Sequence, residues 1–195
     1  MIEIFEQGRF LGYSNVQLDE ARGSVLQHSQ YGVKPATTVF VSHSHEDLSD
    51  LKGLIGFLQR KYGVKVYIDS QDPTMPKVTT AETAFNIKNR IKQCDKFILL
   101  ATNKAIESKW CNWELGYGDA DKYKKHIAIF PLKEKGAFNS TYKGSEYMNL
   151  YPYITYFNGK EKYTNGQPIS QGYYVRRREK DGNYITPLAE WFDEK

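Results

Sequence analysis

The chain has few cysteines and no long apolar run. Only Cys94 and Cys111 occur among its 195 residues, which is too few for a disulfide framework, so we expect buried, reduced thiols. No segment approaches the roughly 18 consecutive apolar residues that a membrane-spanning helix needs. The first residues, Met1–Glu6, include no basic stretch, so no signal peptide is predicted. We therefore expect a cytoplasmic protein that makes no contact with membranes.

Several catalytic and binding motifs are also missing. There is no G-x-G-x-x-G loop and no Walker-type loop, which excludes the common dehydrogenase and ATPase phosphate sites. Nothing resembles a nucleophile elbow. His43 and His45 have a spacing that metal ligands use, but no further ligand completes a set, so no metal is predicted. A net charge of +4 does not require nucleic acid, and we interpret Arg176–Arg178 as a solvated strand edge.

From residue 37 onward, the chain alternates between apolar strand patterns and helical patterns. The predicted strands cover residues 38–42, 64–69, 97–101, 126–132 and 153–157, and Pro131 is expected to stop the fourth. The predicted helices cover residues 48–62, 80–93 and 108–124, and a short helix at 187–195 closes the chain. Repeated alternation with short links indicates a doubly wound, five-stranded parallel sheet.

The two ends of the chain fall outside this alternation. Residues 1–36 are predicted to form an N-terminal extension with a modest helix around 16–27, and residues 37–195 the main domain. Within residues 158–185, the dipeptides Asn165-Gly166 and Asp181-Gly182 are typical of tight hairpin turns. We predict a hairpin insertion there, with residues 173–177 and 183–185 paired across the second turn.

The most informative segment is Ser108-Lys109-Trp110-Cys111-Asn112-Trp113-Glu114, which follows the third strand. Trp110 and Glu114 are four residues apart, so an indole and a carboxylate share one helix face. A helix that begins beyond the carboxyl end of a strand points toward the ligand crevice of an open α/β sheet. An aromatic wall beside a carboxylate suits a sugar nucleotide, although packing of the helix on the sheet explains the same residues.

Other polar side chains are expected at the same crevice. Ser42, His43 and Ser44 follow the first strand, and Asp69 follows the second. The carboxyl ends of parallel strands meet at one edge of a sheet, so these side chains become candidates for substrate contacts. The segment Ser70–Val78, which carries two prolines, is predicted to be a loop at the rim.

Together these motifs resemble the Toll/interleukin-1 receptor (TIR) domain family. Val39–Asp47 resembles its first box, Val66–Asp69 its second strand, and Asp95–Leu100 the strand that follows the next helix. Ser108–Leu115 matches the signature S-x-W-C-x-x-E-L at every fixed position. The resemblance covers residues 37–135 and implies a flavodoxin-like fold. Thr102 stands where relatives often have serine, and the tail after residue 135 departs from the family pattern.

The resemblance implies an activity on NAD⁺ as substrate, with no separate cofactor. It aligns Glu114 with the catalytic glutamate of the enzymatic branch, which stabilises an oxocarbenium-like state as nicotinamide leaves. Trp110 is then the aromatic wall, and Ser42, His43, Ser44 and Asp69 are expected to contact the substrate. The product is ADP-ribose or, as we expect, a cyclic isomer.

The family also implies a biological setting. Small bacterial-type TIR proteins often serve as sensors in anti-phage systems such as Thoeris, so we expect a phage-derived trigger and a separate effector that reads the product. The alternative is a non-catalytic adapter that acts by self-association through Ser70–Val78. A nucleoside deoxyribosyltransferase-like enzyme matches the motifs far less well.

Overall fold

A computed structural model describes residues 4–16, 36–68, 80–122 and 124–194. These residues form an α/β fold with one mixed β-sheet and helices on both of its faces. Its strands are β1 Phe5–Glu6, β2 Thr38–Ser42, β3 Lys65–Ile68, β4 Lys96–Ala101, β5 Ile127–Lys133, β6 Tyr153–Phe157, β7 Gly172–Glu179 and β8 Gly182–Pro187. Its α-helices are α1 Leu48–Tyr62, α2 Ala81–Gln93, α3 Asn103–Glu107, α4 Lys109–Lys122, α5 Ser145–Leu150 and α6 Leu188–Asp193.

The strand order is β3-β2-β4-β5-β6-β7-β8. The first five of these strands are parallel, which confirms the predicted doubly wound sheet. The chain passes from β2 outward to β3 and then returns to the other side of β2 for β4. The topological switch point, where open α/β sheets bind ligands, therefore lies between the carboxyl ends of β2 and β4.

Two apolar clusters cover the two faces of the sheet. One joins α1 and α6 to alternate residues of the central strands, such as Val39 and Ile98. The other joins α2, α4 and α5 to the intervening residues, such as Phe40 and Phe97. Because both faces of the central strands are buried, β4 reads as a continuous apolar run rather than as an alternating pattern.

Local signals set the helix boundaries. Gly63 ends α1 in the left-handed conformation, with φ of 65°, as the Tyr62-Gly63 pair predicts. The Thr80 side chain accepts a hydrogen bond from the backbone N–H of Thr83 and caps α2. The sequence analysis missed α3, whose cap is Thr102, and it placed the end of α4 two residues too late, since Lys124–His126 form a 3₁₀ turn.

The prediction that Pro131 stops its strand is wrong, because β5 continues to Lys133. β5 pairs with β6 at Ile129 and with β1 from Leu132 onward. The missing N–H of Pro131 therefore falls between two short ladders, where its loss removes little pairing.

The C-terminal hairpin is confirmed, and it extends the main sheet beside β6. Residues 174–179 of β7 pair with residues 182–187 of β8. The interpretation of Arg176–Arg178 as a solvated strand edge is wrong at Arg176, which pairs with Tyr153 of β6 and Ile185 of β8. Arg177 and Arg178 pair with β8 and lie beyond the register with β6. Asn165-Gly166 also forms a turn, in which Gly166 has a positive φ of 82°.

Residues 4–16 pack on the face of the sheet that α1 covers. Phe5 and Phe10 lie in the same apolar cluster as Val39. Gly53 and Gly56 of α1 allow this contact, because a Cβ atom at Gly53 would lie 2.7 Å from the carbonyl oxygen of Phe10. A domain boundary at residue 36 stays a prediction.

Some predicted features lie outside the described residues. They are Asp69, the loop Ser70–Val78 and residues 17–27 of the proposed N-terminal helix. Across the described ranges, no helix is both long enough and apolar enough to span a bilayer.

Candidate active site

Glu114 and Ser42 meet at the switch point of the sheet. Ser42 ends β2 and pairs with Leu99 of β4, and Glu114 comes from the second turn of α4. The Ser42 hydroxyl donates a hydrogen bond of 2.5 Å to Glu114 Oε2. The exposed fraction of Glu114 is 1% and that of Ser42 is 0%. A carboxylate is thus held in one orientation and away from bulk water.

The start of α4 explains why Glu114 points inward. The Ser108 hydroxyl accepts a hydrogen bond of 3.3 Å from the backbone N–H of Cys111 and caps the helix. Cys111 and Leu115 pack in the apolar cluster on this face, and Glu114 lies between them on the same side of the helix. Burial, together with the charge of Glu114, raises the pKa of the Cys111 thiol to about 11, so this thiol stays neutral.

Trp110 takes part in an aromatic row along α4. Its ring stacks on Trp113 with centroids 4.7 Å apart, and Trp113 stacks on Tyr117 at 6.1 Å. The ammonium of Lys88, on α2, lies over the rings of Trp113 and Tyr117. Trp110 is only partly buried. One part of its ring packs on Trp113, and the exposed part can contact a ligand.

His43 and Ser44 lie directly after β2, as predicted. His43 is 7% exposed, and its Nδ1 lies 3.4 Å from the carbonyl oxygen of Val41. Ser44 caps the short 3₁₀ turn His45–Asp47 through the backbone N–H of Glu46. The structure therefore brings Ser42, His43 and Ser44 to one edge of the sheet. Asp69 lies outside the described residues.

Sequence reasoning missed a second buried contact at the switch point. The Thr102 hydroxyl, just beyond β4, donates a hydrogen bond of 2.5 Å to Asp47 Oδ2 at the start of α1. Asp47 is 2% exposed. Burial raises its pKa, while the hydrogen bond from Thr102 and the charge of Lys104 act in the opposite direction. The available signal was the position of both residues just beyond neighbouring strands.

A cavity of about 440 Å³ opens beside this pair. Its lining comes from the segments that follow β1, β2, β4 and β5. Glu46, Asp47, Asp50 and Glu134 give it an acidic wall, and Lys104 supplies a cation that pairs with Glu46 at 2.8 Å. The carboxyl edge of the sheet therefore carries a recess next to the buried Asp47 carboxylate, and Glu114 is not among its lining residues.

This arrangement can support chemistry that needs a carboxyl group in a dry, fixed position. Such a group stabilises positive charge that develops on a bound sugar ring. Within the described ranges, no three histidine, cysteine or acidic side chains gather in a group that could hold a metal ion. The His43 and His45 rings lie edge to face, 6.0 Å apart.

The doubly wound sheet and the glutamate at its switch point define a class of α/β proteins with a carboxylate at the ligand crevice of the sheet. The family follows from the sequence, since the profile described as the TIR domain matches residues 39–166. This chain belongs to the TIR domain family, and its sheet is the flavodoxin-like sheet of that fold.

Two individual proteins are similar to this chain in sequence. A protein of Bacillus cereus named probable 3′ cyclic ADP-D-ribose synthase ThsB′ is 30% identical over 140 residues, which is 70% of this chain and 70% of the relative. A protein of Cytobacillus dafuensis, named as a candidate cyclic ADP-D-ribose synthase, is 30% identical over 87 residues. That match spans 43% of this chain but 23% of the relative.

Proposed function

We propose that this protein consumes NAD⁺, releases nicotinamide and makes a cyclic isomer of ADP-ribose. The observation that carries the proposal is the buried Glu114 carboxylate, oriented by the Ser42 hydroxyl at 2.5 Å beside the switch point. The names of the two relatives, both cyclic ADP-D-ribose synthases, support the activity and favour the cyclic product.

The chemistry follows from one carboxylate. Cleavage of the bond between ribose C1 and the nicotinamide nitrogen leaves the bonding electrons on nicotinamide, which departs as a neutral molecule. Positive charge develops on the ribose, and Glu114 stabilises it through electrostatic attraction. Attack by an atom of the adenosine half then closes the ring and releases a proton. Attack by water gives ADP-ribose instead.

The neighbouring side chains have supporting roles in this proposal. Ser42 fixes the Glu114 rotamer, since the hydrogen bond leaves the carboxylate one preferred orientation. Trp110 covers one face of the substrate, and His43 and Ser44 contact its ribose or phosphates. Asp69 is expected to join them from the end of the strand that precedes residues 69–79.

The same proposal extends to the biological role. The cyclic nucleotide acts as an anti-phage signal that a separate effector protein reads, after a phage-derived trigger activates the enzyme. Self-association through Ser70–Val78 completes the active form. The support for this part is the resemblance to small TIR sensors and the similarity to ThsB′.

The test is NAD⁺ turnover by the purified protein, with products separated by mass spectrometry. Glu114→Gln keeps the size of the side chain but removes its charge, and nicotinamide release should fall by about 100-fold or more. Glu107→Gln is the matched control, because Glu107 is an exposed acid that pairs with Lys143. Ser42→Ala should reduce kcat about tenfold while Glu114 remains present.

The outcomes separate the alternatives. Equal turnover by the wild type and Glu114→Gln would overturn the assignment of Glu114. ADP-ribose as the only product would overturn the cyclisation step. No turnover by the wild type, even when concentrated or crowded, would favour the non-catalytic adapter.

A further inference from the structure

A second cavity lies at the opposite edge of the sheet from Glu114. Its volume is about 640 Å³, within the range of small-ligand sites. It is formed by the residues before β5 and β6, by the end of β7 and by the turn between β7 and β8. Since β5 has seven residues, its two ends are about 20 Å apart. We call this cavity the basic groove, and its lining residues are Lys124, Lys125, Asn149–Pro152 and Arg177–Asp181.

Five cations converge on the basic groove, against two carboxylates. Lys124, Lys125, Arg178 and Lys180 are exposed, and Arg177 is partly exposed. Among the described residues, Lys124, Lys125 and Lys180 form no ion pair within 4.0 Å, so their charges are not neutralised locally. Such a concentration of positive charge attracts phosphate groups.

Two side chains close to the groove, His126 and Lys96, lie among further positive charges. Burial and the charges of Lys96, Lys125 and Lys122 lower the pKa of His126 to about 4. Lys96 itself is buried, and its ammonium lies 3.0 Å from His126 Nδ1. Burial lowers the pKa of Lys96 to about 8, although the charges of Glu194 and Asp95 act in the opposite direction. Lys96 therefore adds a partly balanced cation near this edge of the sheet.

The groove also offers surfaces for the rest of a nucleotide. Tyr151, Leu150 and Pro152 lie between the two cationic sides. Leu150 is 61% exposed, and the Tyr151 hydroxyl is held by Asp119 at 3.2 Å. An aromatic ring fixed next to apolar side chains suits the face of a base, and the flanking lysines and arginines suit its phosphates.

The acids favour a compact ligand over a nucleic-acid strand. Glu179 pairs with Arg177 at 2.5 Å, and Asp181 accepts a hydrogen bond of 2.6 Å from the Tyr184 hydroxyl. These carboxylates keep negative charge at the hairpin turn, which disfavours a long phosphodiester chain that crosses the turn.

We propose that the basic groove binds a nucleoside polyphosphate, at a site separate from the Glu114 site. The phosphates contact Lys124, Lys125, Arg178 and Lys180, and the base lies against Tyr151. This site is independent of the proposed NAD⁺ chemistry, so its test does not depend on enzymatic turnover.

The test uses isothermal titration calorimetry of the whole chain with ATP at fixed salt. The double variant Lys124→Glu/Lys125→Glu should weaken ATP binding at least about tenfold. The double variant Lys52→Glu/Lys160→Glu is the matched control, since it changes the net charge equally at two exposed lysines outside the groove. It should bind ATP as the wild type does.

One further variant and two further ligands test the site. Lys180→Gln changes a side chain in an exposed turn and should weaken ATP binding about threefold, even if the double variant folds poorly. Equal weakening by the groove variant and its control, or no ATP binding by the wild type, would overturn the site. Inorganic triphosphate that binds as tightly as ATP would overturn the base contact, and a single-stranded oligonucleotide that binds more tightly would indicate a nucleic-acid interface instead.

Discussion

Ser42 and Glu114 are 72 positions apart in the chain and share a hydrogen bond of 2.5 Å. The sequence motifs predict each residue separately, one at a strand end and one on a helix. No pattern in either segment indicates that the two side chains touch. Their contact exists because α4 packs across the end of β2, and that packing depends on the whole sheet.

Asp47 gives a prediction about pH. Burial raises its folded-state pKa above the ordinary value of 3.8, so the folded state favours the protonated form. Stability from this group is therefore fully present below the unfolded pKa and is lost as pH rises through the folded pKa. Asp47→Asn keeps an acceptor for the Thr102 hydroxyl but carries no charge, so it should be more stable than the wild type at neutral pH.

Urea unfolding at several pH values measures this effect. The stability advantage of Asp47→Asn should shrink as the pH falls through the folded-state pKa of Asp47, because the wild-type carboxyl then becomes protonated. Glu82→Gln, at an exposed acid on α2, serves as the control. A variant less stable than the wild type at pH 7, or an advantage that does not change with pH, would contradict the assignment.

At the scale of elements, α1 depends on close contact with residues 4–16. A Cβ atom at Gly56 would overlap the carbonyl oxygen of Tyr13. Gly56→Ala should therefore lower the free energy of unfolding by about 1–3 kcal/mol, because overpacking outweighs the gain in helix propensity. Gly116→Ala on α4 is the control, since no heavy atom lies within 4 Å of its Cβ position.

Chemical denaturation should separate these two glycine variants by sign. Gly116→Ala is expected to raise stability by about 0.5–1 kcal/mol, because alanine loses less backbone entropy in a helix. A stable Gly56→Ala protein would show that residues 4–16 move away from α1 at little cost.

The elements differ in how far the sequence predicts them. The central strands and α1 follow from long apolar patterns and from Tyr62-Gly63, and the Asp181-Gly182 turn predicts the final hairpin. The continuation of β5 beyond Pro131 and the short α3 could not be predicted in this way. In both, the outcome depends on neighbours: Pro131 lies between two ladders, and α3 is capped by Thr102, whose hydroxyl also binds Asp47.

At the scale of the molecule, the two ends of the sheet carry opposite charge. An acidic cavity lies at the carboxyl ends of the parallel strands and the basic groove at their amino ends. The Glu114 carboxylate is 1% exposed, so a substrate reaches it only after neighbouring groups move. In the function proposed above, assembly or a trigger would cause this movement.

We therefore expect NAD⁺ turnover per molecule to rise with protein concentration and with crowding. Association shifts the population toward the assembled form by mass action. The measurement is nicotinamide release over about a hundredfold range of concentration, with the oligomeric state followed by light scattering. Turnover per molecule that stays flat across the range would contradict activation by assembly.

By itself, the sequence determined the doubly wound class and the TIR family, and it indicated Glu114 as the candidate catalytic residue, because these depend on local periodicity and on a motif within one helix. Only the tertiary structure decided which side chains from distant segments lie together. It brought Ser42 to Glu114 and Thr102 to Asp47, and it placed Arg177 and Arg178 beside Lys124 and Lys125. Contacts between distant segments depend on strand order and on the packing of helices over the sheet, and neither is encoded in the residues nearby.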